Sequence, residues 1–249
     1  MHYLYDETFE GFLTCVYHNY YSERATAISS ECRYQIDLLN DFRLIETDEQ
    51  KSRAVHQAIV KKISSADMGT IYKVFKTNEK EKEMKLLRYI MLGFKKGSSI
   101  SLLHGHPIVS DVQKAENRIG FEIHRLYGLI RFASVTSEAN AVPIMYSSIE
   151  PDNDVVEFLA SHFTDRFKNE PFIIHDVKRS KALIAYKRKW NIADFTDDKV
   201  LVNTREEEEY RRLWSRYFDI IAIKERKNPK CQKNFMPVRY WKHLPEIRS

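Results

Sequence analysis

The chain opens on alternation. Residues 2–5, HYLY, are a Tyr-rich run of period two, which predicts a short strand. Asp6, Glu7 and Thr8 then offer N-cap chemistry, and Phe9, Phe12, Leu13, Val16 and Tyr17 follow at helical spacing. Residues 32–46 carry no clear period beyond a strand or irregular segment at 43–46. From residue 48 to 127 the period is helical and predicts four helices. The first spans 47–63, with Val55, Ile59, Val60 and Ile63 on one face. The second spans 66–75, and the third 79–94 with Met84, Leu87, Ile90 and Phe94 inside. The fourth starts at Pro107, a residue suited to a first helical position, and continues through Val112, Ile119, Ile123 and Leu126.

Past residue 127 the period changes. Residues 128–135 (GLIRFASV) and 141–149 (AVPIMYSSI) predict two strands joined by a polar turn, with Pro143 at an edge or a strand start. Asp152 or Asn153 is placed to cap a helix to about residue 168, burying Val155, Val156, Leu159, Phe163 and Phe167. Residues 172–177 (FIIHDV) and 182–186 (ALIAY) predict a hairpin. The order strand, strand, helix, strand, strand implies a small antiparallel sheet with a helix on one face. Thr204 caps a last long helix, 205–223, whose four leading Glu complement the helix dipole. Its core stripe would be Tyr210, Leu213, Trp214, Tyr217, Ile220 and Ile221. The expected fold class is therefore α+β. A mainly helical part, 1–127, precedes an α+β part, 128–249, that ends in a basic tail, the two forming one compact unit.

Composition supports a packed protein: 43% of the 249 residues are hydrophobic and 12% aromatic, against the profile of a disordered chain. With 7 Gly and 7 Pro there is little room for long linkers. The N-terminus lacks the basic-then-apolar pattern of a signal peptide, and no apolar run approaches the ~20 residues of a membrane helix. The three cysteines, Cys15, Cys32 and Cys231, form no CxxC or three-Cys cluster, which excludes a disulfide framework and local iron–sulfur ligation. A cytoplasmic protein with no cofactor of its own is expected.

Charge changes the picture further. Residues 224–249 hold eight Lys/Arg and two Glu, about +6, and residues 178–189 hold six Lys/Arg and no acid. The whole chain is +5, so everything outside these segments sums to 5 − 12 = −7. Such placement suits a polyanion, nucleic acid above all. The alternative is a solvated face whose Lys and Arg stems cover apolar surface. In the tail, Arg239, Tyr240 and Lys242 fall on one short turn after Pro237, where an aromatic ring beside cations can stack on an unpaired base. Tyr240 and Trp241 can equally pin the tail to the core.

The densest polar set is His162, Arg166, His175, Asp176 and Arg179. His162 and Arg166 share a helix face, whereas His175 and Asp176 are adjacent on a strand and point to opposite faces. The set suits phosphate binding or acid–base work, with His162, His175 and Asp176 as catalytic candidates. It suits equally a hydrogen-bonded network joining helix to sheet. His104-Gly105-His106 lacks further ligands for a metal and reads as a polar loop. No GxSxG, HExxH or GxGxxG occurs.

Several segments together carry a family resemblance. They are Tyr5-Asp6-x-x-Phe9-Glu10-Gly11-Phe12, His124-Arg125-Leu126-Tyr127-Gly128-Leu129-Ile130-Arg131-Phe132, and Pro151-Asp152 leading to His162-Phe163-x-x-Arg166-Phe167. Further along come Ile174-His175-Asp176-x-x-Arg179, Leu213-Trp214-x-x-Tyr217-Phe218, Ile223-Lys224-Glu225-Arg226-Lys227-Asn228-Pro229 and Met236-Pro237-x-Arg239-Tyr240-Trp241. Over nearly its whole length the chain resembles proteins labelled "probable DNA metabolism protein", typically encoded beside a radical-SAM protein thought to modify or repair DNA. Some relatives join a similar domain to a uracil-DNA-glycosylase-like domain. The family pattern has Gly after Tyr-Asp, where Glu7 stands here.

The resemblance implies a role in DNA metabolism beside a radical-SAM partner and supplies no catalytic residue. The expectation is a DNA-binding accessory protein that favours single-stranded or damaged DNA. Its contacts would be Arg131, Arg166, Lys178, Arg179, Lys187, Arg188, Lys189, Arg226, Lys227, Arg239, Tyr240 and Lys242. The alternatives are a phosphate- or nucleotide-processing enzyme built on the five-residue polar set, and a pure interaction module that docks the radical-SAM protein.

Overall fold

The computed structural model describes residues 1–34, 41–137, 140–196, 202–223, 225 and 228–247. The chain is α+β and divides into two compact units, Met1–Gly120 and Phe121–Ser249.

In the first unit, β1 (His2–Tyr5) is the central strand of a three-stranded parallel sheet. It pairs with β2 (Ala27–Ser30) on one side and β3 (Phe42–Leu44) on the other. Between β1 and β2 runs α1 (Phe9–Tyr21), whose N-cap Thr8 accepts a hydrogen bond from the Gly11 amide at 2.9 Å. Glu7 has φ 62°, in the left-handed region that favours glycine. Gly11 has a steric reason of its own: a Cβ there would stand 2.2 Å from Asp6 Oδ1 and 2.8 Å from Thr47 Oγ1.

The predicted helices follow as α2 (Glu49–Lys62), α3 (Ser65–Phe75), α4 (Lys82–Lys96) and α5 (Pro107–Leu129). Asp48 caps α2 by accepting from the amides of Gln50 and Lys51, and Ser64 caps α3 through the Asp67 amide. Tyr3, Phe12, Ile59, Ile71, Leu86 and Ile90 lie in the buried core of this unit. Two buried tyrosines satisfy their hydroxyls on carboxylates: Tyr5 on Glu83 at 2.9 Å and Tyr89 on Asp67 at 2.6 Å. The half predicted as mainly helical thus also holds a parallel sheet. Its strand β2 (AISS) was hidden because, unlike HYLY, its four residues hold one large apolar side chain, Ile28, and so show no alternation.

The second unit is built on a six-stranded sheet of order β8-β7-β6-β5-β4-β9. The strands are β4 (Ala133–Ser137), β5 (Asn140–Ile149), β6 (Phe172–Asp176), β7 (Lys181–Tyr186), β8 (Lys189–Asp194) and β9 (Val202–Asn203). Helix α6 (Val156–Arg166) connects β5 to β6 and lies against β6, β7 and β8. The expected order of elements is present, but the sheet is mixed. β5 and β6 run parallel because α6 returns the chain to the starting end of β5 before β6 begins.

Three details also differ. Gly128 and Leu129 complete the last turn of α5, so β4 starts only at Ala133. Neither Asp152 nor Asn153 caps α6: the helix starts at Val156 with Val155, which has no side-chain acceptor, at the N-cap, and the Asp152 and Asn153 amides donate to the Glu122 carboxylate. Helix α7 (Arg205–Ile221) is capped by Thr204 as expected, yet its apolar stripe is not core. Tyr210 is 69% exposed and Leu213 63%, with Trp214, Tyr217, Ile220 and Ile221 also open. Helical period reports that a face is apolar and not what covers it. The chain ends in α8 (Pro229–Phe235) and a 3-10 helix, Val238–His243, that starts after Pro237. No helix among the described residues is long and apolar enough to cross a membrane.

Candidate functional site

The second basic segment forms the tip of the β7–β8 hairpin. Tyr186 pairs with Lys189, which leaves Lys187 and Arg188 as a two-residue turn. Both have positive φ, 49° and 62°, the backbone of a type I′ turn that favours Asn-Gly. Two long cationic side chains therefore stand where their backbone is strained by roughly 1–3 kcal/mol each. Lys187, Arg188 and Lys189 are exposed, and none has an acidic partner among the described residues. Lys187 Nζ lies 5.0 Å from the centroid of the exposed Tyr186 ring, and Trp190, also open, pairs with Ala185 on the other face of the hairpin. Lys178 is exposed at the other end of β7.

The tail behaves differently. Tyr240 is only 2% exposed and donates to Glu122 Oε1 at 2.7 Å. Burial, and then the charge of Glu122, raise its phenol pKa, so the ring stays a protonated donor. The base-stacking role expected of Tyr240 is corrected: its ring is packed in the fold. Glu122 also accepts from the Asp152 and Asn153 amides and from Asn153 Nδ2, so one buried carboxylate joins α5, the β5–α6 loop and the tail. Arg239 sits over the Tyr240 ring at 4.7 Å and pairs with Asp152 at 2.8 Å. Lys242 pairs with Glu150, and Arg131 with Glu246 at 2.9 Å. Three cations expected on a polyanion surface are thus engaged with carboxylates of their own unit. Trp241 is half-buried and donates to the Met236 carbonyl. Arg226 and Lys227 lie outside the described residues.

The five-residue polar set does not converge. His175 is buried with its Nδ1 2.8 Å from the Tyr146 hydroxyl. Asp176, on the opposite face, is fully buried and accepts from Arg179 Nη1 at 2.8 Å and from the Arg179 amide. Burial raises the Asp176 pKa despite the opposing pull of Arg179. Arg179 also donates to the carbonyls of Pro151 and Asp152, tying β6 to the β5–α6 loop. His162 stacks on Tyr127 at 4.2 Å, and Arg166 is exposed over the Phe167 ring. His104 is hydrogen-bonded to Gln113. No cluster of three or more metal-ligating side chains occurs among the described residues.

A cleft in the second unit was not anticipated. One chamber, of about 520 Å³, lies between β4, β5, α7 and the tail. Its lining includes Arg131, Arg211, Arg212, Lys242, Ser147 and Asn203, with no carboxylate. A second chamber, of about 790 Å³, shares Arg131, Arg211 and Pro245 with the first and is lined by Tyr127, Phe132, Tyr210, Trp214 and Tyr217. Glu246 is buried where the chambers share residues. Its Oε1 accepts from Arg131 Nη2 at 2.9 Å and Nε at 3.2 Å, and its Oε2 accepts from Trp214 Nε1 at 3.2 Å. Arg211 is held by Glu207 at 2.8 Å, one helical turn earlier.

These hubs left a sequence signal in one case. Glu122 falls on the stripe of Ala115, Ile119 and Leu126, a carboxylate on an otherwise buried face, which demands partners. Glu246 follows Pro245 in a short tail and has no such periodic context.

No curated protein and no solved structure matches the chain. Residues 80–246 do match DUF4130, described as a domain of unknown function. That span contains the sheet of the second unit, both buried carboxylate hubs and the cleft. It covers two thirds of the sequence, and the chain belongs to the DUF4130 family.

Proposed function

We propose that the protein is a DNA-binding accessory factor in DNA repair or modification that works beside a radical-SAM partner. The observation that carries the DNA part is the β7–β8 hairpin tip, where Lys187, Arg188 and Lys189 are exposed beside the open Tyr186 ring and no acid neutralises them among the described residues. Strain held at an exposed tip is a feature of functional segments. Cations beside open aromatic rings suit a single strand, whose phosphates meet the charges while its bases stack. The partner comes from the family resemblance alone.

Fluorescence titration of a labelled single-stranded oligonucleotide tests this reading. Binding should weaken as salt rises, with a log–log slope of about −0.7 per phosphate contacted. Replacing Lys187, Arg188 and Lys189 by Ala should flatten that slope by about two units. Binding that ignores salt, or that is unchanged in the triple variant, overturns it.

The exposed apolar stretch of Phe218, Ile220, Ile221 and Ile223 favours a second reading, an interaction module that meets DNA only through its partner. Its mark would be a stable complex on co-expression with the radical-SAM protein, together with free chain that leaves DNA alone. The enzyme alternative gains no support from geometry: Asp176 and Arg179 pair with each other in a structural contact, while His175 bonds Tyr146, His162 stacks on Tyr127 and Arg166 lies over Phe167.

A further inference from the structure

We infer that the two-chambered cleft of the second unit binds one nucleoside phosphate, with the phosphate in the cationic chamber and the base against the aromatic one. This deepens the DNA-binding reading but rests on different residues.

The two chambers differ in the way the two ends of a nucleotide differ. The chamber between β4, β5, α7 and the tail is lined by guanidinium, ammonium, hydroxyl and amide groups; Arg131, Arg211 and Lys242 are paired with Glu246, Glu207 and Glu150, which leaves Arg212 as its lining cation without an ion pair among the described residues. Guanidinium groups match phosphate oxygens in charge and in fork geometry. The adjoining chamber offers the rings of Trp214 and Tyr217, whose centroids are 5.9 Å apart with planes inclined by 33°. Every base has a π-face, so such a platform takes bases without reading sequence. Both volumes, about 520 and about 790 Å³, lie within the ~300–1,000 Å³ common for small-ligand sites.

The two halves are also coupled. Glu246 holds Arg131 with one oxygen and Trp214 with the other, so a single buried carboxylate sets the phosphate-side cation and the base-side ring together. Arg211, held by Glu207, lines both chambers. Arg212 has no ion pair among the described residues and is exposed, which leaves its charge for a ligand. The large exposure of the α7 aromatic face then has a use, since a stacked base would cover it.

The same chemistry is offered by a free nucleotide and by one unpaired residue of a strand. Isothermal titration calorimetry on the full chain tests both, with deoxyadenosine 5′-monophosphate as the probe. Two exposed side chains are replaced in turn, Arg212→Ala on the phosphate side and Tyr217→Ala on the base side. Each variant is first checked by thermal melting. The expected result is that each folded variant binds the nucleotide about tenfold more weakly. Deoxyadenosine and inorganic phosphate, tested separately, should each bind more weakly than the nucleotide. No binding to the folded wild-type chain, or equal binding to wild type and both variants, overturns the inference.

A single-stranded oligonucleotide added as competitor assigns the source. Displacement of the nucleotide places a strand residue in the cleft, and failure to displace it leaves a free nucleotide as the ligand. The hairpin triple variant keeps the two readings apart: it should lose oligonucleotide binding and keep the nucleotide. DNA binding without nucleotide binding sinks the cleft alone. Nucleotide binding without DNA binding sinks the accessory role alone.

Discussion

Glu122 and Tyr240 show how a charged residue can be part of a fold rather than of its surface. Glu122 is buried, and its oxygens receive two backbone amides, an Asn153 side-chain amide and the Tyr240 hydroxyl. A carboxylate out of water is tolerable only with such donors. Removing the Tyr240 hydroxyl leaves part of that charge unmet. Tyr240→Phe should therefore cost about 1–3 kcal/mol of stability, and Tyr240→Ala roughly 3–5 kcal/mol as the ring's cavity is added. Urea unfolding at neutral pH measures both. If Tyr240→Phe unfolds at the wild-type midpoint, the hydroxyl contributes nothing and the account of Glu122 fails. Neither variant should alter DNA affinity once conditions keep it folded, because the ring is not on the surface.

At the scale of elements, the β7–β8 hairpin sets stability against binding. Its turn holds Lys187 and Arg188 at φ 49° and 62°, where Asn and Gly are the relaxed choices. Replacing Lys187-Arg188 by Asn-Gly should stabilise the protein by about 1–2 kcal/mol. The same change should weaken single-stranded DNA binding and flatten its salt slope by about 1.4 units, for two lost cations. Thermal melting and a salt titration on one sample give the two signs together. A variant that melts higher and binds DNA unchanged would make this turn a structural oddity rather than a contact. Sequence reading found β6 and β7 from their apolar runs but missed β8 (KWNIAD), whose central residue, Ile192, is its only aliphatic of size. That strand exists because β7 templates it across a two-residue turn, which no period within six residues reveals.

At the scale of the molecule, burial is uneven, and opening should follow it. Strand β1 is hydrogen-bonded on both sides and carries Tyr3, Leu4 and Tyr5 wholly inside the first unit. Strand β6 occupies the same position in the second, between β5 and β7. Helix α7 exposes Tyr210, Leu213, Ile220 and Ile221. Native-state hydrogen exchange should accordingly be slowest in β1 and β6 and orders of magnitude faster in α7, whose few buried contacts do little to hold it closed. Equal protection of α7 and β6 in the free chain would mean that α7 is covered in solution and would overturn this account. Ligand in the aromatic chamber should slow exchange in α7 first.

Local patterning determined much of this protein. The caps at Thr8, Asp48, Ser64 and Thr204, the helices between residues 48 and 129, and strands β1, β6 and β7 all follow from interactions within a few positions of each residue. The placement of positive charge was equally plain, and it marked two segments, the 224–249 tail and residues 178–189, the second of which includes the β7–β8 tip. Tertiary structure alone decided the rest. The parallel pairing of β5 with β6 depends on where α6 delivers the chain. The Glu122 hub closes over separations of 30 residues to Asp152 and 118 to Tyr240, and the Arg131–Glu246 pair spans 115. Whether Arg239 and Lys242 face a polyanion or a neighbouring carboxylate was settled at such distances, because an ion pair is chosen by proximity in space. For the same reason an apolar stripe on α7 read as core and proved open: its period describes one helix, and burial requires a second surface.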